Sequence, residues 1–165
     1  MSEIIQITYY KTPIGIAEIT GDKNGIQSVS VLDDDAISDV LLNKKTPESL
    51  QNCITQLEEY FNGKRTDFNL KLNPKGTHFQ RKVWQELLNI PYNKTRTYLD
   101  QSKALGDVKA IRAVASANGK NPIWIIIPCH RVIGSDGSLT GYAGGIWRKK
   151  WLLAHENPVK QQSLF

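Results

Sequence analysis

Cysteine is scarce in this chain of 165 residues, which contains only Cys53 and Cys129. The two lie far apart and neither belongs to a CxxC or CxxH spacing. A disulfide framework and a structural zinc site are therefore not expected. We expect free thiols, a reducing cytoplasmic location, no metal and no cofactor.

Long hydrophobic runs are also missing. The longest unbroken apolar stretch, residues 123–127, is far shorter than the roughly 20 residues needed to cross a bilayer. The first residues, MSEIIQITYYKTPIG, show no basic segment followed by an apolar one. We therefore expect no signal peptide and no membrane partner.

Charge is unevenly distributed along the chain. Residues 1–60 carry 4 Lys and Arg against 10 Asp and Glu, whereas residues 61–165 carry 17 against 6. A basic C-terminal part is typical of a protein that meets a polyanion. Charge alone leaves a nucleic-acid partner and an ordinary fluctuation of surface charge equally open.

The first third of the sequence alternates apolar and polar residues between turn signals. This pattern predicts a small antiparallel sheet, with Asn24 and Gly25 forming a hairpin turn. Residues 49–61 predict an amphipathic helix, in which Cys53 is a buried filler. A polar, irregular segment ending in NPKG closes this first subdomain, which we place at residues 1–75.

The second domain, residues 76–157, reads as mainly helical. Thr77 is an N-cap candidate for a helix that ends before Pro91. Two short helices, residues 98–105 and 108–118, are joined by a glycine turn, which fits a helix-turn-helix. We then predict an extended stretch over residues 123–133 and a glycine-rich loop over residues 134–145. A final helix over residues 147–155 and a flexible tail over residues 158–165 complete the chain.

The stretch IIIPCHRVIG carries the most reactive side chain of the chain. An ordinary cysteine thiol has a pKa of about 8.5, so Cys129 needs a base or nearby positive charge to ionise at neutral pH. His130 and Arg131 are candidates, but neighbouring side chains on a strand point to opposite faces. His130 therefore serves Cys129 only through a backbone turn, which Pro128 favours, or a bridging water. Glu156 offers a carboxylate to orient the imidazole. Taken alone, these residues favour an inert, buried thiol over a catalytic one.

Three motifs, IPCHRVIG, GYAGG and KKWLLAHE, together resemble the O6-alkylguanine-DNA alkyltransferases. The similarity runs in order from GTHFQRKVW through IPYNKTRTY and ALGDVKAIRAVASAN to WLLAHE. It implies an α+β fold, in which a small antiparallel, ribonuclease-H-like subdomain precedes a winged-helix-like DNA-binding domain. It also implies a monomer that repairs double-stranded DNA containing O6-alkylguanine.

The resemblance assigns roles around the thiol. Cys129 would accept the alkyl group irreversibly, so that each molecule acts once. His130 would be the base, acting through a water, and Glu156 would orient it. Asn121 would hold the turn near the active loop, and Tyr142 would contact the guanine ring and help neutralise the leaving group.

The resemblance also assigns residues that hold the base. The backbone carbonyls of Cys129 and Val132 and the amide of Ala143 would read its edge. Trp124 stands where some members carry proline, and a bulky indole should narrow the pocket. We therefore expect good repair of O6-methylguanine and weaker use of large adducts such as O6-benzylguanine, an expectation that the ratio of the two rates tests.

A base inside a duplex cannot reach a thiol, so the nucleotide must be flipped out. By resemblance, Arg112 would fill the vacated stack and Tyr98 would crowd the rotated phosphate. The small side chains of Ala113 and Ala117 would let the helix backbone approach the minor groove closely.

The final residues, 161–165, run from Gln161 to Phe165 as QQSLF and resemble the pentapeptide by which bacterial repair proteins dock on the sliding clamp. The alternative is that Leu164 and Phe165 fold back onto the domain. Three rivals to alkyl transfer stay open: a non-reactive lesion-binding relative, a winged-helix DNA-binding module with an incidental thiol, and a papain-like thiol hydrolase.

Overall fold

The computed structural model of the chain describes residues 4–158. The chain divides into two compact units between Lys75 and Gly76, and each is described by itself below. The predicted clamp-binding segment, residues 161–165, lies outside the described residues. Within residues 4–158, no helix is both long and apolar enough to cross a membrane.

The first unit contains the predicted meander, an antiparallel sheet in the order β1-β2-β3. Its strands are β1 (Gln6–Thr12), β2 (Gly15–Asp22) and β3 (Gly25–Leu32). The hairpin is confirmed, but its turn lies one residue earlier than predicted, because Asp22 already pairs with Gly25. Gly25 has a φ of 132°, and a Cβ there would lie 2.8 Å from the Lys71 carbonyl oxygen. Only glycine fits this backbone conformation and this close contact, and Gly25 is the first residue of β3 rather than a residue of the turn.

Two helices follow the sheet, α1 (Asp39–Leu42) and α2 (Glu48–Phe61). The longer helix α2 packs on β1 and β2. It buries the apolar side chains that recur at helical spacing, Leu50, Ile54, Leu57 and Phe61. Cys53 is fully buried among them, and burial raises the pKa of its thiol to about 12. Cys53 is therefore a buried core residue, as predicted.

The second unit is mainly helical, so the predicted α+β architecture is confirmed. Its elements are α3 (His78–Leu87), β4 (Arg96–Thr97), α4 (Tyr98–Ala104), α5 (Ile111–Gly119), β5 (Val132–Ile133) and α6 (Ile146–Glu156). Thr77 caps α3 as predicted, and it forms a reciprocal capping box with Gln80. The two short strands β4 and β5 pair in parallel.

Helices α4 and α5 form the predicted helix-turn-helix pair. Gly106, with a φ of 88°, ends α4. The prediction of one continuous helix over residues 108–118 needs correction: Val108–Ala110 is a 3₁₀ turn and the α-helix begins at Ile111. The cause is Asp107, whose carboxylate accepts a hydrogen bond from the backbone N–H of Lys109 at 2.9 Å and tightens the first turn.

Side chains buried between the helices fix their arrangement. Gln101 on α4 and Asn118 on α5 exchange two hydrogen bonds, of 2.9 and 2.7 Å. The indole N–H of Trp84 on α3 donates to the carbonyl oxygen of Ala117 at 2.8 Å. Buried amide and indole groups must find such partners, so these bonds select one packing of α3, α4 and α5.

The prediction of an extended stretch over residues 123–133 is wrong. The chain bends at Trp124, and Ile125 has a φ of 73°, an unusual value for a β-branched residue. A 3₁₀ helix then spans Cys129–Arg131. Short apolar runs fit a strand and a buried loop equally well by pattern, and here Ile123, Ile125 and Ile127 are buried without forming a strand.

Candidate active site

Cys129 begins the 3₁₀ turn and lies at a cavity of about 660 Å³. Its side chain is nearly buried. Several side chains predicted for the site line the same cavity, namely Tyr98, Arg112, Tyr142 and Ala143. Cys129 therefore borders a space that these four residues also line.

Asn121 holds the loop that leads to the thiol. Its amide nitrogen donates to the carbonyl oxygen of Ile127 at 2.8 Å, and its amide oxygen accepts from the backbone N–H of Ile123 at 2.9 Å. The two bonds close the segment on itself in place of strand pairing. The conformation at Ile125 is a strained one that this closure enforces.

A single carboxylate, that of Glu156, joins the two side chains that follow Cys129. His130 Nε2 lies 2.7 Å from Glu156 Oε2. Arg131 donates to both carboxylate oxygens, at 2.8 and 3.1 Å, and its Nη1 donates to the carbonyl oxygen of Ile90 at 2.7 Å. All three charged or titratable side chains are buried, so this network is shielded from water.

The network decides the protonation state of the imidazole. Burial would raise the pKa of Glu156, but hydrogen bonds from His130 and Arg131 and the positive charge of the Arg131 guanidinium hold it well below its usual range. Burial lowers the pKa of His130, although Glu156 opposes the shift. Because Arg131 already neutralises the carboxylate, we infer a neutral imidazole at physiological pH.

Neutrality fixes which ring nitrogen carries the proton. A carboxylate only accepts hydrogen bonds, so Nε2 of His130 must be the N–H that donates to Glu156. Nδ1 then has a lone pair, and within residues 4–158 it is buried without a hydrogen-bond partner. A buried polar atom of this kind is a place for an ordered water. The imidazole can thus accept a proton through such a water.

The thiol itself is subject to opposing effects. Burial raises the pKa of Cys129, whereas a hydrogen bond from Asn121 and the charge of Lys149 lower it. Sequence reasoning looked to Arg131 for positive charge and missed Lys149. A signal was present, because Lys149 precedes Leu152 by three residues and Glu156 by seven, which places all three on the buried face of α6.

Aromatic residues form part of the surroundings of the thiol. The ring centroids of Trp124 and Tyr142 lie 5.7 Å apart. Burial raises the pKa of Tyr142 well above its usual value, so its hydroxyl remains a proton donor. Ala143 is exposed, whereas Val132 is fully buried in β5, so the Val132 side chain is not available to a base.

Of the residues predicted to contact DNA, some are exposed and others are buried. Arg112 and Ala113 are exposed near the start of α5. Tyr98 is half-buried, and its hydroxyl donates to the Thr140 carbonyl oxygen at 3.0 Å. Ala117 is buried, because it faces Trp84 across the α3–α5 packing, so its predicted place on the DNA-binding face needs correction.

Two family models match the chain. Residues 5–74 match the ribonuclease-like domain of 6-O-methylguanine DNA methyltransferase, and residues 78–158 match the DNA-binding domain of the same family. A methylated-DNA–protein-cysteine methyltransferase of Methanosarcina barkeri is 46% identical over 150 residues, which are 88% of this chain and 93% of that protein.

Solved structures give the same result. A crystal structure of Mycobacterium tuberculosis O6-methylguanine methyltransferase is 39% identical and superimposes with a TM-score of 0.82, covering 94% of each chain. A structure of the Mycobacterium tuberculosis protein in complex with DNA is 41% identical, with a TM-score of 0.82 and 92% of each chain covered.

The network around Glu156 predicts a pH-dependent contribution to stability. Glu156→Gln leaves the buried Arg131 cation without a counter-charge, which costs about 3–5 kcal/mol of unfolding free energy at pH 7. Because folding lowers the pKa of this carboxyl, its contribution is present above the unfolded pKa of about 4.3 and is lost as the pH falls. Urea unfolding of both proteins should therefore show a difference that shrinks below about pH 4.

Glu59→Gln is the matched control, because Glu59 forms a partly exposed pair with Arg65 at 3.3 Å. It should change stability by less than about 1 kcal/mol at every pH. Equal losses in the two variants would contradict the role given to the buried carboxylate.

Proposed function

The chain belongs to the 6-O-methylguanine DNA methyltransferase family, and we propose that Cys129 is the residue with which it removes an alkyl group from a damaged base. The activity of this family is DNA repair by transfer of the alkyl group to a cysteine of the protein itself. The observation that supports Cys129 is its position at a cavity whose other walls include Arg112, Tyr98 and Tyr142. Cys53, by contrast, is fully buried in the first unit.

The proposed chemistry is a single in-line displacement. The proton of the Cys129 thiol passes through a water to Nδ1 of His130, and the sulfur attacks the alkyl carbon on O6 of guanine. A sulfur–carbon bond forms as the carbon–O6 bond breaks. The departing guanine takes its proton from the hydroxyl of Tyr142, which burial keeps protonated. The thioether product has no route back to a thiol, so each molecule acts once.

The neighbouring groups position this reaction. Glu156 holds His130 in the tautomer that leaves Nδ1 ready to accept a proton. Asn121 keeps the thiol loop closed and supplies a hydrogen bond that favours the thiolate. The backbone groups of Cys129, Val132 and Ala143 are our candidates for reading the base edge, and Trp124 limits the room beside Tyr142.

DNA is the partner, and we propose that the lesion is O6-alkylguanine in a duplex. Extruding a stacked nucleotide costs a few kcal/mol, and the exposed Arg112 guanidinium, at the cavity rim, is suited to fill the gap. The alternatives of a non-reactive lesion binder and of a plain winged-helix module are not favoured, because the relatives are methyltransferases and the thiol is present. The monomeric state and the cytoplasmic location stay predictions.

Intact mass tests the acceptor. After incubation with duplex DNA containing O6-methylguanine, the protein should gain the mass of one CH₂ per molecule and then stop reacting. Cys129→Ala should gain nothing, whereas Cys53→Ala should react like the wild type because Cys53 is buried away from the cavity. Methyl loss from DNA in excess of the protein present, or reaction of the Cys129→Ala variant, would overturn the assignment.

The role of Arg112 predicts a difference between DNA forms. Arg112→Ala should slow methyl transfer from duplex DNA about tenfold or more, because about 1.4 kcal/mol of lost support for the extruded state corresponds to tenfold. Transfer from a single strand, where little stacking must be broken, should slow much less. Lys120→Ala, at the C-cap of α5 and also exposed, serves as the charge-matched control. Equal slowing on both DNA forms would refute base-flipping support.

The segment QQSLF, residues 161–165, supports a proposal of docking on the sliding clamp. Two apolar residues in a polar stretch are a compact anchor for a groove on a partner. A pull-down should retain the clamp with the full chain and lose it when residues 161–165 are deleted. Retention of the clamp without them, or no retention with them, would remove the proposal.

A further inference from the structure

Lys149 occupies an unfavourable place for a positive charge. It lies in the first turns of α6 and is 1% exposed. Burying an ammonium costs free energy unless it is compensated, and the N-terminal end of a helix carries partial positive charge that adds to this cost. An uncharged side chain would avoid both penalties, so the lysine at this position requires a specific explanation.

The hydrogen bonds of Lys149 are to the glycine-rich loop, residues 134–145. Its Nζ donates to the carbonyl oxygens of Thr140 and Gly141, at 3.2 and 3.4 Å. It also lies 5.9 Å from the ring centroid of Tyr98, whose hydroxyl donates to the same Thr140 oxygen. These partners are neutral, and the ion pairs found within residues 4–158 do not include Lys149.

The missing counter-charge can come from Cys129. The charge of Lys149 lowers the pKa of the thiol. Burial lowers the pKa of Lys149 to about 8, although ionised Cys129 opposes this shift. Arg131 cannot take this part, because it donates to both oxygens of Glu156. Among the side chains of residues 4–158, the structure thus identifies one buried cation whose only charged complement is the reactive sulfur.

We propose that Lys149 is a positioning residue for alkyl transfer, which clamps the glycine-rich loop beside Cys129 and supplies the counter-charge for its thiolate. The clamp acts on Thr140 and Gly141, and these residues precede Tyr142 and Ala143, with which they line the cavity. The thiolate part rests on the proposed function of Cys129. One side chain thereby couples the shape of the cavity to the ionisation of the nucleophile.

The pH dependence follows from the groups around the ammonium. Those that face it or interact with its charge are Cys129, His130 and the Tyr98 ring, and ionised Cys129 also raises the pKa of Tyr142 in the glycine-rich loop. Near neutral pH Lys149 is charged and favours the thiolate. As the pH rises through about 8 the ammonium loses its proton, and the advantage that its charge gave the thiolate disappears.

Reaction of the thiol with iodoacetamide in the absence of DNA measures this effect directly. Lys149→Met keeps the length of the apolar stem and removes the charge. At pH 7 the variant should alkylate at Cys129 about tenfold more slowly than the wild type, which corresponds to a thiol pKa raised by about one unit. The two rates should converge as the pH is raised from about 7 to about 9.5. Peptide mapping assigns the modified cysteine.

Lys150→Met is the matched control, since Lys150 is the next residue of α6 and is exposed. It should react like the wild type at every pH. Methyl transfer from O6-methylguanine DNA should follow the iodoacetamide rates in both variants. If Cys129 were not the acceptor, the Cys129→Ala variant would still gain a methyl group, whatever the effect of Lys149→Met on the iodoacetamide rate, so the two proposals fail separately.

A second variant guards against a loss of structure. Lys149→Ala with added ethylammonium should regain part of the alkylation rate at pH 7, whereas sodium at the same ionic strength should not. A folded Lys149→Met protein with the wild-type rate at pH 7, a rate ratio that stays constant with pH, or no regain with ethylammonium would each overturn the proposal.

Discussion

The carboxylate of Glu156, shared between His130 and Arg131, is the interaction on which the second unit depends. It joins the last turn of α6 to the 3₁₀ turn that carries the thiol. Arg131 extends the link to the carbonyl oxygen of Ile90. Because the carboxylate is neutralised by a guanidinium, the imidazole beside it remains uncharged and keeps a lone pair directed into the protein interior. Structural support and proton transfer thus come from one group.

Charge in this unit is divided between two separate pairs. Arg131 is committed to Glu156, whereas Lys149 interacts with Cys129. The division matters because a single cation shared by both anions would favour one at the expense of the other. Under the proposed role of Lys149, its charge offsets part of the effect by which burial raises the pKa of Cys129, and this charge comes from the buried face of α6.

The sequence predicted the helices and strands better than the path around the thiol. Alternation and helical spacing identified the sheet, α2, α3 and α6, and Thr77 marked a helix start, because these signals are local. The turn at Trp124 and Ile125 was missed, since it is imposed by the Asn121 side chain bonding to two backbone groups. Lys149 was missed although its spacing places it on the buried face of α6, because only the folded structure shows that Thr140 and Gly141 present their carbonyl oxygens to it. Ala117 was misplaced because a small side chain fits a surface and a close helix contact equally well.

The position of Glu156 along the chain has a consequence for protein synthesis. The first unit, including buried Cys53, can form from the residues that emerge early from the ribosome, since domains tend to fold in order. The thiol at residue 129 emerges well before the carboxylate that orients its base. Under the proposed mechanism, a nascent chain therefore carries its acceptor sulfur before the carboxylate that orients His130 is in place, and it can react only after the last turn of α6 has docked.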